Sequence, residues 1–153
     1  MFYFLMIQVA LASSLKEGMR GKRWGQAITH TGECETRDKE TICSEEVSGI
    51  PVNVSYGTWP SVGLYSIYLQ AEGFANCATL RDILGEAWGR GFPNSQYLTG
   101  KMDNWSWKDG PYIGSFKFNS INGQCYILAM DGKRYDVMEA EKKEEAKKAA
   151  SSL

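Results

Sequence analysis

The chain has 153 residues, 43% hydrophobic and 23% charged, which fits one domain with a sizeable core. Seventeen basic and eighteen acidic side chains give a formal net charge of −1, which excludes the basic balance expected of a nucleic-acid binder. Five Trp and eight Tyr supply bulk for a core that needs no structural metal.

Residues 2–12 form an apolar run of signal-peptide length, ending in Ala10-Leu11-Ala12, the pattern that precedes cleavage. The run is too short to cross a bilayer, which needs about 20 residues, so no stable membrane span is expected. No basic residue precedes it, whereas Lys16, Arg20, Lys22 and Arg23 follow it. An apolar first strand or helix packed on the domain is the alternative. The reading carried forward is a signal peptide over 1–12, a polar linker over 13–25, and a secreted or periplasmic product.

One α+β domain is expected over 26–135, with a strand over 26–31 entering it. Cys34 and Cys43 enclose a charged stretch that reads as a hairpin tip. A strand over 47–56 follows, made irregular by Gly49 and Pro51. The turn Gly57-Thr58-Trp59-Pro60-Ser61 leads to a strong strand over 64–70. Asn76 then offers an N-cap for a helix over 77–88. Its Leu80, Ile83, Leu84, Ala87 and Trp88 fall on one apolar stripe, and Gly89, Gly91 and Pro93 end it.

Two turns organise the next stretch. Asn122-Gly123 reads as a two-residue hairpin turn, placing Phe118 opposite Ile127. Lys108-Asp109-Gly110-Pro111 reads as a four-residue loop, placing Trp107 opposite Tyr112. Together they collect Trp105, Trp107, Tyr112, Phe116, Phe118, Cys125, Ile127 and Ala129 on one face. The helix stripe is the natural cover for that face, so the fold class is a twisted antiparallel sheet of hairpins packed against one amphipathic helix. Residues 136–153 read as a charged, solvated helical tail.

Cys34, Cys43, Cys77 and Cys125 match no zinc spacing, and four cysteines allow three pairings. Cys77 lies on the helix stripe and Cys125 on the covered face, so the expected pairs are Cys77–Cys125 and Cys34–Cys43.

No motif specifies catalysis or a cofactor. His30 is the only imidazole and has no nucleophile motif around it. Glycan hydrolysis would need paired carboxylates, with Glu72, Glu86, Asp103 and Asp109 as candidates. Turn aromatics offer a contact surface instead, and Tyr56, Trp59, Phe92 and Tyr97 are the candidate binding residues. The expectation is an exported, non-catalytic binding module, an envelope accessory or inhibitor protein with a protein or glycan partner. The alternatives are a small glycan-directed hydrolase, or a cytoplasmic structural protein with free thiols.

Overall fold

The computed structural model describes residues 14–28, 33–37, 40–93 and 104–153. The apolar run 1–12, His30, Tyr97 and Asp103 lie outside them. The described residues form an antiparallel sheet with β1 at Cys34–Arg37, β2 at Glu40–Val47, β3 at Ile50–Trp59 and β4 at Gly63–Glu72. Helix α1 (Phe74–Trp88) follows, then β5 at Phe92–Pro93, β6 at Asn104–Asp109, β7 at Tyr112–Asn119 and β8 at Gln124–Asp131. Helix α2 (Gly132–Ala150) closes the order. The strands lie side by side as β1-β2-β3-β4-β8-β7-β6-β5.

Alternation along the strands sorts apolar side chains to one face. Register aligns Cys43, Val54, Leu69, Ile127, Phe116 and Trp105 in one row across six strands. All but Trp105 are buried. Cys77, Leu80 and Leu84 of α1 join the same core. Each fully buried aliphatic or aromatic side chain contributes about 1.5–3 kcal/mol, so this row and the helix stripe above it carry much of the fold. The alternate residues, Ser55, Tyr68, Leu128, Ser115 and Ser106, make a more polar row on the other face. The architecture is α+β, a sheet packed against a helix with a second helix at the C-terminus.

Both disulfides are Cys34–Cys43 and Cys77–Cys125. The first joins residues directly opposite on β1 and β2, and the second ties α1 to β8. They point to an oxidising compartment. No helix among the described residues is long and apolar enough to cross a membrane.

Several local expectations change. Both hairpin registers differ by two residues from the sequence reading. Asp109 pairs with Tyr112 around Gly110-Pro111, and Asn119 pairs with Gln124 around a four-residue loop. Gly110, with φ 59°, takes the first position of the tight turn. Asn122 accepts from the Gln124 amide at 3.0 Å and Asn119 from the Ile121 amide at 2.9 Å, so both side chains brace the longer loop. A shift of two keeps every side chain on its face, so the aromatic layer survives.

The strand expected over 47–56 is broken by a turn at Ser48-Gly49, where both residues have positive φ. Pro51 precedes the first pairing of β3 with β4 at Asn53, where a missing N–H costs nothing. Helix α1 starts at Phe74, capped by Gly73 rather than Asn76, whose amide instead donates to the Glu72 carbonyl at 3.0 Å. The stretch read as a linker packs: Leu15 and Met19 are buried, and the Trp24 indole donates to the Leu15 carbonyl at 2.9 Å. Of the strand expected over 26–31, residues 26–28 are not in a strand, although Gln26 accepts from the Leu64 amide.

The helical tail begins four residues earlier than expected, at Gly132. Asp131 caps it, accepting from the amides of Lys133 and Arg134. Met138 is buried, and the Glu141 carboxylate accepts from the Trp59 indole at 2.6 Å and the Ser61 hydroxyl at 2.8 Å. Beyond Glu141 the helix is exposed.

Candidate functional site

The outward side of α1 and the start of β6 enclose an open cleft of about 640 Å³. Its floor is made by indoles. Trp107 is buried and donates from Nε1 to the Gly89 carbonyl at 2.8 Å, a group left unpaired where α1 ends. Trp88 stands edge-on to Trp107, with ring centroids 5.3 Å apart. Two glycines make room for this pair. A Cβ on Gly91 would lie 2.7 Å from Trp107, and one on Gly114 would lie 2.7 Å from Trp88.

Trp105 is half-buried and presents its ring beside the cleft, with the Arg81 guanidinium 5.9 Å from the ring centroid. Arg81 also pairs with Asp82 at 3.2 Å. Glu86 and Arg90 are exposed along the same wall. A side chain at Gly85 would meet nothing within 4 Å, so the helix wall is recessed there. The cleft thus combines an aromatic platform, two guanidinium groups and two carboxylates. Such a surface can stack a flat or CH-rich face and hydrogen-bond its edges.

The sequence candidates are dispersed. Tyr56 is an interior residue of β3, 6% exposed, and donates its hydroxyl to Glu45 at 2.9 Å. Burial, then the Glu45 carboxylate, pushes its pKa up to about 12. Trp59 ends β3 half-buried, its indole N–H committed to Glu141. With Pro60, Val62 and Arg134 it borders a separate open depression of about 540 Å³. Phe92 lies in β5, opposite Ser106, one residue beyond the Gly91 that lines the cleft. Tyr97 lies outside the described residues.

Among the carboxylates, Glu86 lines the cleft, whereas Glu72 accepts from the Gln124 side chain at 3.0 Å before α1 begins. From its first residue, Phe74, to Glu86 the helix rises about 18 Å, which sets the two carboxylates too far apart to flank one glycosidic bond. Asp109 is exposed at the end of β6, beside the Gly110-Pro111 turn. Sequence reasoning missed Arg81, Gly85 and Arg90. The spacing of Arg81 and Gly85, one turn apart and off the apolar stripe, with Gly89 just past the helix end, is the signal that could have found them.

Elsewhere, Tyr65 and Tyr68 titrate above the usual tyrosine range, in each case mainly through burial. The next causes are Tyr135 for Tyr65 and Tyr126 for Tyr68. No protein-family model matches the chain, and neither does any curated protein or solved structure.

Proposed function

We propose that the protein is an exported binding module that engages a protein or glycan partner through the Trp105 cleft. The observation that carries the reading is the half-buried Trp105 ring beside Arg81, in an open cleft whose helix wall is recessed at Gly85. Aromatic and arginine side chains are the residue types that dominate contact energy at such surfaces. The two disulfides support export, because such bonds persist in oxidising compartments.

Two measurements test this. Intact mass after alkylation without reductant, on protein from its native compartment, should show no reactive thiol and loss of residues 1–12. Free thiols or a retained apolar run would count against export. Capture from native extracellular or envelope extract, alongside a glycan panel, should retain a partner with the wild-type chain and lose it with Trp105→Ala. Ile121→Ala, at a residue 95% exposed on a remote turn, should leave capture unchanged.

The hydrolase reading retains one specific support, the Asp82 and Glu86 carboxylates one helical turn apart beside Trp105. It requires turnover of a glycan bound in the cleft, lost in Glu86→Gln while binding persists. Binding without turnover favours the module.

A further inference from the structure

Behind α1, on the side away from the indole cleft, lies a cavity of about 140 Å³ between the helix and the sheet. Its lining is almost wholly apolar, with Leu80, Ile83, Leu84 and Trp88 from the helix and Leu69 and Ile127 from the sheet. A cavity near this size lined by such residues stays dry and accepts a hydrocarbon of about six carbons.

Its mouth has a different character. Met19 and Arg20 close one side, held in a tight turn in which the Met19 and Lys22 backbones exchange hydrogen bonds at 3.1 and 2.9 Å. Arg20 adopts φ 56° and Gly21 φ 71°, the pair of left-handed residues that such a turn demands. Leu15 and Met19 anchor the strap in the core, and Arg20 reaches Glu45 at 2.9 Å. Arg20 lines the mouth and meets Glu45 through Nε, and Lys16, Lys22 and Arg23 lie on the same strap, which keeps a net positive charge with Glu17 and Glu45 counted. An apolar hole under a cationic rim matches a ligand with one hydrocarbon end and one negative end.

We propose that this cavity takes the tail of a single-chain anionic amphiphile of the fatty-acid kind, with its carboxylate against Arg20 and the basic strap. The site is separate from the Trp105 cleft, and neither reading depends on the other. No covalent step is involved.

The test uses the full chain and octanoate below its micelle concentration, followed by NMR. Octanoate should shift the Trp88 indole resonance saturably. Its terminal methyl should give contacts to the Leu80, Ile83 and Leu84 methyl groups. Octanol should bind about fivefold more weakly, the scale of one partly exposed charge contact, and Arg20→Gln should erase that preference. Ala87→Leu should fill the cavity and abolish binding; if it does not fold, Ile83→Phe serves the same purpose from the cavity rim. Absence of methyl contacts, equal binding of octanol and octanoate, or unchanged binding in the filled variant would each overturn the proposal.

Discussion

At Tyr56 and Gly114 the chain commits single positions to the core in ways that can be read out directly. The Tyr56 hydroxyl is buried against Glu45, and its pKa stands at about 12 against the ordinary 10.0. The unfolded chain therefore releases this proton near pH 10, while the folded chain holds it to about 12. The stability it lends is intact below pH 10 and is lost as pH climbs through 12. Denaturant titrations between pH 9 and about 12 should show that decline, and Tyr56→Phe should flatten it. Gly114 faces the Trp88 ring, so Gly114→Ala would push a methyl into an indole that is already packed on Trp107. Overpacking of this kind costs about 1–3 kcal/mol, measurable as a lower urea midpoint with an unchanged slope.

The strand and helix elements show which signals the sequence carried. Trp107, Phe116, Ile127 and Ala129 share a buried layer as expected, because a period of two and two turn sites suffice to sort faces. Turn chemistry was less legible. Asn119 and Asn122 brace a four-residue loop through their side chains, a tertiary choice that Asn-Gly alone does not reveal. Ser48-Gly49 was a turn signal lost among the valines of two strands. The Trp105 cleft was hidden for a different reason: Arg81, Gly85 and Arg90 come together with β6 only once α1 is laid across the sheet. Helix α2 was undervalued because, beyond the single buried Met138, its anchor is polar. A chain ending at Lys142 should lose less than about 0.5 kcal/mol, since residues 143–153 are exposed. A chain ending at Val137 forfeits the buried Met138 and the Glu141 bonds to Trp59 and Ser61. It should lose at least about 2 kcal/mol by the same denaturation assay.

For the whole molecule, two covalent ties hold the sheet at different ranges. Cys34–Cys43 closes a separation of 9 residues, and Cys77–Cys125 closes one of 48 across the helix–sheet interface. Loop-closure entropy gives the longer tie about 4 kcal/mol and the shorter about 2–3 kcal/mol. Paired Cys→Ala replacement of each bridge should rank them in that order by denaturant midpoint. The ranking matters for function, since Cys77–Cys125 fixes the helix whose far wall makes the cleft. The most direct measurement is hydrogen exchange on the disulfide-intact chain, alone and with its captured partner. Slowed exchange is expected at residues 81–91 and 104–107, around Trp105 and Gly85. Protection confined to residues 57–61 around Trp59, with the α1 wall unchanged, would contradict it.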